Sequence, residues 1–209
     1  GILELSGKGA VYASSTLWQE HTASIKSVVV SNNITEIGAN LFANCTVLEE
    51  ITIPDNITVI NGSQFNGCTG LKKIIFEGTT ELEVDNASGL QAKYTAGSGD
   101  AAIDYISTLE EVVVNRPMKS VQPAKNPWRG NTSIKKVTFG GNCTAVFSNM
   151  FENCSSLTEI NIPETVTSIA ANAFAGTGIK RTRKAMKHQR MLNDYYQSHK
   201  DKMTKAKKH

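Results

Sequence analysis

Apolar side chains recur along this chain with a period close to 23 residues. The aliphatic residue that opens each period is followed by apolar residues three, five, nine and twelve positions later, and by an aromatic residue seventeen positions later. The opening residues are separated by 23, 23, 38, 25, 23 and 22 residues: Ile25, Leu48, Leu71, Leu109, Ile134, Leu157 and Ile179. A period of this length indicates a repeat architecture, in which a single unit cannot bury its apolar side alone. We number the units from the first (25–47) to the sixth (157–178).

The positions within a unit predict its elements. Positions three and five share one face of an extended segment, because side chains alternate along a strand. We therefore predict a short parallel strand, a second extended piece around positions nine to twelve, and a turn that carries the aromatic residue. The aromatic column is Phe42, Phe65, Phe151 and Phe174, with Trp128 as the substitute in the fourth unit. Stacked units share one continuous core, so the pattern predicts a solenoid of about six units of 22–25 residues over 25–179.

Three segments depart from the period. Residues 1–24 resemble a degenerate unit, and we interpret them as an N-terminal cap. An insertion at about 77–108 lengthens the third unit, and it is either a neutral surface excursion or a binding loop. Residues 180–209 lack Gly and Pro and have apolar residues at near-helical spacing, which predicts a basic C-terminal helix. The chain thus divides into a cap, a solenoid over 25–179 and a tail.

The motif shared by the second and sixth units points to a known family. Leu48, Ile51, Ile53 and Pro54 in one unit correspond to Leu157, Ile160, Ile162 and Pro163 in the other. This unit resembles the BspA-like leucine-rich repeat of bacterial surface proteins, over about 1–179 and most specifically over 25–76 and 134–179. The resemblance implies an α/β repeat fold, a location on the cell surface or outside the cell, and attachment to host-matrix or cell-surface proteins. No signal peptide is recognisable in the sequence.

Charge is distributed unevenly between the solenoid and the tail. The formal net charge is +3, yet residues 180–209 carry 11 Lys and Arg against two acidic residues, while residues 1–179 carry 11 against 17. The tail is therefore +9 and the remainder −6. Three interpretations of the tail stay open: it caps the solenoid, it binds an acidic partner, or it is foreign to the repeat protein. A polyanion bound by the tail, either nucleic acid or an acidic glycan, is the alternative function, and nucleic acid is not the partner we expect.

The outward positions of the predicted strands provide the candidate binding residues. Position two alternates in charge, and position four is rich in β-branched residues. The candidates are Glu50, Lys73, Glu111 and Lys136 at position two, and Val29, Thr52, Ile75, Val113 and Thr138 at position four. Opposite charges on neighbouring strands would form a ladder that sets the strand register. The β-branched row has two interpretations, simple β-propensity or a strip that binds a protein partner.

Little in the sequence suggests catalysis. The chain has no nucleophile elbow, P-loop, dinucleotide or metalloprotease motif, and His21 is the only histidine before residue 188. We expect no enzyme activity, cofactor or metal. Cys45, Cys68, Cys143 and Cys154 fall in core columns, so we predict four buried free thiols rather than disulfides. Asn-x-Ser/Thr sequons recur at fixed repeat positions, which turn formation explains. No apolar stretch approaches the ~18 residues that a membrane-spanning helix needs.

Overall fold

Short strands account for most of the regular structure. A computed structural model describes residues 1–12, 16–38, 40–60, 64–84, 93–94, 103–104, 106–120 and 128–179. The strands are β1 (Ile2–Leu5), β2 (Gly9–Val11), β3 (Ser27–Val30), β4 (Ile34–Ile37), β5 (Glu50–Ile53), β6 (Val59–Ile60), β7 (Lys73–Glu77), β8 (Leu82–Glu83), β9 (Lys93–Tyr94), β10 (Ile103–Asp104), β11 (Glu111–Asn115), β12 (Met118–Lys119), β13 (Lys136–Phe139), β14 (Ala145–Val146), β15 (Glu159–Asn161) and β16 (Ser168–Ile169). A 3-10 helix spans Thr16–Ser24.

The strands form parallel sheets that run across the repeat units. The main sheet has five strands in the order β15-β13-β11-β7-β5, one from each of the second to sixth units. The second extended pieces form the sheets β2-β4-β6, β8-β12 and β14-β16. Strands β9 and β10 form an antiparallel pair inside the third unit, between the buried residues Val84 and Ile106. The predicted leucine-rich-repeat solenoid is confirmed, and its non-strand side consists largely of turns in the part of the chain that the structure describes.

The inward columns of the repeat form one apolar core. At position three, Ile51, Ile74, Val112 and Val137 are successive strand partners, and each is at most 2% exposed. At position five, Ile53, Phe76, Val114 and Phe139 are buried in the same way. Each unit therefore covers the apolar side of its neighbour, as the spacing predicted.

Aromatic rings form a second column behind the sheets. Phe42 stacks on Phe65 with ring centroids 6.0 Å apart, and Trp128 stacks on Phe151 at 5.4 Å. Trp128 is buried, which confirms it as the substitute in the fourth unit. Phe174 stacks on Phe151 at 6.0 Å, but it is only half-buried because no later unit follows it among the described residues.

Left-handed residues shape the turn that follows the aromatic column. Asn44 (φ 64°) and Asn153 (φ 61°) occupy the same place as Gly67 (φ 74°), and Asn and Gly tolerate this conformation best. The amide of Asn44 donates to the carbonyl of Asn66 at 2.7 Å, and the amide of Asn153 donates to Ala175 at 2.7 Å. Turn geometry thus explains the sequons at these two positions.

The structure describes most of the segment interpreted as the N-terminal cap but not the C-terminal segment. The proposed cap supplies β1, which pairs with β3, and Trp18, whose indole N–H donates to the carbonyl of Leu41 at 3.3 Å. The predicted basic helix over 180–209 lies outside the described residues. Among the residues that are described, no helix is long and apolar enough to cross a membrane.

Candidate functional site

The exposed face of the main sheet carries the predicted β-branched row. Thr52, Ile75, Val113 and Thr138 are successive strand partners, so the structure brings these four side chains into one line across the sheet. Thr52 is exposed, and the other three are half-buried because each has a neighbour on both sides. We refer to these four residues as the β-branched row.

Val29 is the exception among the predicted row residues. It lies on β3, which pairs with β1 in a separate two-stranded sheet, and its strand partner is Glu4. Val29 is 54% exposed, more than the half-buried members of the row. It therefore extends the exposed face toward the cap without belonging to the five-stranded sheet.

The predicted charge ladder lies beside the β-branched row. Lys73 Nζ is 3.0 Å from Glu50 Oε2, and Lys136 Nζ is 3.0 Å from Glu111 Oε1. The hydrogen bond to Glu50 raises the pKa of Lys73, and the negative charge of Glu111 acts in the same direction. Each pair is partly solvent-exposed, so it contributes only about 0–1 kcal/mol to stability. Its main effect is to favour the observed register.

The charges on this face nearly cancel one another. Positions one and two of the second to sixth units hold four lysines and five glutamates: Lys72, Lys73, Lys135, Lys136, Glu49, Glu50, Glu110, Glu111 and Glu159. Lys135 Nζ also contacts Glu110 Oε1 at 2.9 Å, so the pairing extends to position one. An open hollow is bordered by Glu49, Glu50, Lys72, Lys73, Glu110 and Glu111. The face therefore offers an uncharged row beside a ladder of nearly balanced charge.

Comparison with known families agrees with this architecture. The family model for the BspA type leucine rich repeat region matches residues 17–87 and 100–201, in six copies. The chain belongs to the BspA-type leucine-rich-repeat family. Repeat solenoids of this kind typically present extended surfaces for protein interaction.

Solved structures with similar chains come from several bacteria. A leucine-rich repeat protein from Bacteroides ovatus is 26% identical over 73% of this chain and 35% of its own, with a TM-score of 0.45. The T. pallidum Leucine Rich Repeat protein is 21% identical over 91% of this chain and 87% of its own, with a TM-score of 0.48. A leucine rich cell surface protein from Faecalibacterium prausnitzii is 19% identical over 84% and 41%, with a TM-score of 0.35. This chain thus spans about a third of the length of the Bacteroides ovatus protein. No curated protein matches the sequence.

A buried arginine that the repeat pattern did not predict lies in this BspA-type solenoid, at the end of β11. Arg116 is fully buried, and its Nε and Nη2 donate to the carbonyl of Thr80 at 3.0 and 2.8 Å. Its Nη1 donates to the carbonyls of Pro54 at 3.2 Å and Ile57 at 3.1 Å, and Nη2 lies 4.0 Å from Asp55 Oδ1. Burial lowers the pKa of Arg116, and the charge of Asp55 opposes that shift. One side chain therefore joins the second, third and fourth units.

The carboxylate of Asp55 binds the backbone next to Arg116. Its Oδ1 accepts the amides of Thr80 at 2.7 Å and Thr79 at 2.8 Å, and these two hydrogen bonds lower the pKa of Asp55. Gly78 has a φ of +137°, and a Cβ at that position would overlap Asp55 Oδ1. We refer to Arg116, Asp55 and residues 78–80 as the polar corner.

The four cysteines are buried with free thiols, and their burial agrees with the prediction from the repeat columns. Cys68 donates to the carbonyl of Phe42 at 3.0 Å, and Cys154 donates to that of Trp128 at 3.0 Å. Burial raises the pKa of Cys154 to about 12. The hydrogen bond with Cys68 is the main cause that raises the pKa of Cys45, and burial acts in the same direction. The thiols of Cys45 and Cys154 are therefore poor nucleophiles, because nucleophilic attack requires the thiolate.

Proposed function

We propose that the exposed strand face binds a protein partner through the β-branched row, and that the chain is a non-catalytic interaction scaffold. The observation that carries this proposal is the line formed by Thr52, Ile75, Val113 and Thr138 across a parallel sheet. We also propose a location on the cell surface or outside the cell, in keeping with the resemblance to bacterial surface proteins.

The energetics of binding favour this face. Its backbone is already ordered by sheet hydrogen bonds, so a partner does not have to immobilise it. All four row side chains are β-branched, and three of them are half-buried, so they lose little conformational freedom on binding. The central region of a protein interface is typically depleted of charged residues and bordered by polar ones. The uncharged row beside the charge ladder has this arrangement.

A double charge substitution tests the proposal. Ile75→Asp with Val113→Asp places two adjacent carboxylates in the row and leaves the inward columns unchanged. Surface plasmon resonance on a panel of purified, immobilised extracellular-matrix proteins, including laminin and collagen, measures the outcome. Affinity for a matrix protein that the parent chain binds should fall at least about tenfold.

A matched control separates this effect from added charge alone. Thr58→Asp with Thr144→Asp introduces the same charge at exposed positions outside the main sheet. Circular dichroism of both variants verifies that the fold is retained. Equal loss of binding in both variants, or full binding by Ile75→Asp/Val113→Asp, would contradict the proposal.

The polyanion alternative predicts a different result. Heparin would bind the full chain, its affinity would fall steeply with salt, and Ile75→Asp/Val113→Asp would leave it unchanged. The basic tail that would carry this activity lies outside the described residues, and its charge of +9 is the observation in its favour.

A further inference from the structure

The charges of the ladder change sign at every step across the main sheet. Strands β5, β7, β11 and β13 are successive neighbours, and positions one and two of their units are acidic, basic, acidic and basic in turn. The residues at these positions are Glu49, Glu50, Lys72, Lys73, Glu110, Glu111, Lys135 and Lys136. Followed in the opposite direction, from β13 to β5, the pattern has the opposite charge at each strand. The reversed order of these strands is therefore the electrostatic complement of the forward order.

A face with this property is complementary to a second copy of itself. In a two-fold dimer, each contact between two residues of different copies is matched by the reverse contact. A two-fold axis parallel to the strands, between β7 and β11, places β7 opposite β11 and β5 opposite β13 of the second copy. Lys73 then lies opposite Glu111 of the second copy, and Glu50 lies opposite Lys136 of that copy. The position-one residues are matched in the same way, so every acid at these positions of the four strands meets a base.

The same axis brings the two β-branched rows together. Ile75 lies opposite Val113 of the second copy, and Thr52 lies opposite Thr138 of that copy. The strands of the two copies run in the same direction, and sheets that face each other in this way pack with interdigitated side chains. The apolar pair Ile75 and Val113 therefore lies at the centre of the contact, with charged residues along one side, and protein interfaces typically have this arrangement.

Axes at other places match this face less well. An axis along β7 or β11 brings strands of like charge together, because the pattern is symmetric about each strand, and like charges oppose association. An axis between β11 and β13 pairs opposite charges, but it sets Ile75 against Asn161 and leaves β5 without a facing strand of the main sheet. The axis between β7 and β11 satisfies both the charges and the apolar centre of the row.

Two charges on these strands have no salt bridge in the part of the chain that the structure describes. The other lysines of the four strands pair with glutamates of the same chain, whereas Lys72 and Glu49 do not. Both border the open hollow on this face. In the two-fold arrangement, Lys72 lies opposite Glu110 of the second copy, and Glu49 lies opposite Lys135 of that copy. A second copy thus offers opposite charges to the two groups that lack them in a single chain.

We propose that the β-branched row and the charge ladder form a two-fold interface with a second copy of this chain, with the axis between β7 and β11. The inference rests on the proposed function, because it names a partner for the same row. Four strands at a spacing of ~4.8 Å span only about 15 Å. Small interfaces belong to weak, reversible complexes, so the dimer forms at high local concentration and dissociates on dilution.

Two charge reversals that complement each other test the register, with sedimentation equilibrium of the full chain as the measurement. In Lys73→Glu, positions 73 and 111 are both acidic and meet across the axis, and in Glu111→Lys both are basic. Each variant alone should therefore self-associate at least about tenfold more weakly than the parent. In an equimolar mixture, the two acidic positions of one variant meet the two basic positions of the other, and association of parental strength should return. Circular dichroism verifies that both variants are folded.

A matched pair of variants controls for opposite net charge. Lys119→Glu and Glu83→Lys reverse charges at half-exposed positions on β12 and β8, outside the main sheet. Each of these variants should self-associate like the parent, and their mixture should associate no more strongly than the parent.

Three results would overturn the dimer. The parent could stay monomeric at every concentration, or the mixture of Lys73→Glu and Glu111→Lys could associate no more strongly than either variant alone. Retention of the dimer by Ile75→Asp/Val113→Asp would place the contact away from the row. Sedimentation reports self-association alone, whereas surface plasmon resonance on matrix proteins reports the proposed function. Failure of the dimer and failure of the proposed function are therefore observed separately.

Discussion

Two junctions between repeat units are built in different ways. The fifth and sixth units meet through matching columns, with Val137 opposite Ile160 and with the rings of Phe151 and Phe174 stacked. The second, third and fourth units meet at the polar corner, where the guanidinium of Arg116 is surrounded by backbone carbonyls. The first kind of junction uses apolar columns that recur along the solenoid, whereas the second depends on one long cationic side chain.

The difference follows from a change in repeat length. Leu82 follows Phe76 by six positions in the third unit, whereas Met118 follows Val114 by four, although Phe76 pairs with Val114 and Leu82 with Met118. The carbonyl of Thr80, in the lengthened segment, lies with those of Pro54 and Ile57 around the guanidinium of Arg116. A buried cation that donates to several carbonyls satisfies them, and unsatisfied carbonyls are costly to bury. A repeat can therefore change its length locally where a polar network satisfies the buried carbonyls.

The largest effect is expected at a regular apolar junction. Phe65 is 1% exposed and stacks on Phe42, so Phe65→Ala should lower the free energy of unfolding by about 3–5 kcal/mol. Chemical denaturation gives the value. Val47→Ala, at a position that is 40% exposed, is the control and should change stability by no more than about 0.5 kcal/mol. A loss below about 1 kcal/mol for Phe65→Ala would show that the repeat phase is wrong.

A somewhat smaller loss is expected at the polar corner. Arg116→Met keeps the approximate volume but leaves the carbonyls of Thr80, Pro54 and Ile57 without this donor, at a cost of at least about 2 kcal/mol. Arg116→Lys should lie between the parent and Arg116→Met, because an ammonium cannot reproduce the guanidinium geometry. Lys119→Met, at a half-exposed cation nearby, provides the comparison. If Arg116→Met matched Lys119→Met in stability, the hydrogen bonds at the corner would not hold the units together.

The pH dependence of the corner should follow Asp55. Its pKa is lower in the folded chain than the value of about 3.9 in the unfolded chain. The stability that ionised Asp55 contributes is therefore fully present above about pH 4 and is lost as the pH falls through the folded pKa. Denaturation of the parent and Asp55→Asn across this range should show a difference in stability that narrows with acid. A difference that stayed constant down to the lowest pH would rule out this role for the carboxylate.

The smallest effect is expected in the charge ladder. Lys136→Ala removes the 3.0 Å ion pair with Glu111, and the loss should be below about 1 kcal/mol because the pair is exposed. High salt should reduce the difference further by screening the pair. Thermal unfolding at low and high salt measures both quantities. A loss above about 2 kcal/mol that salt does not change would mean that the ladder stabilises the sheet through packing rather than charge.

The sequence predicted the residues that recur at fixed positions of the repeat, and it missed the buried residues that fall outside those positions. The inward columns, the role of Trp128 and the alternating ladder all follow from side chains that recur at one position of the unit. Leu82 and Val84 complete the buried columns of the third unit, but the two additional residues before them shift their phase and conceal them. The role of Arg116 was also hidden, because its partners lie between 36 and 62 residues away. In the first unit, the carbonyls of Ser31 and Ile34, at the positions of Pro54 and Ile57, accept from the much shorter side chain of Asn56.

The candidate face was predicted more completely than the polar corner. Four of the five row residues were placed in one line by their repeat position alone. Val29 was the exception, because spacing places a side chain within its unit but does not determine whether β3 pairs with β5 or with β1. The partner of the face depends on the shape and chemistry of the whole surface, which periodicity does not describe.

Photo-crosslinking tests the central claim, that the β-branched row contacts a protein partner, most directly. A photoreactive phenylalanine analogue replaces Ile75 in one variant and Thr144, which is exposed outside the main sheet, in another. Each variant is irradiated with a purified matrix protein that the parent chain binds, and the products are identified by mass spectrometry. The proposed function predicts crosslinks from position 75 and none from position 144. Crosslinks from position 144 with none from position 75 would contradict it.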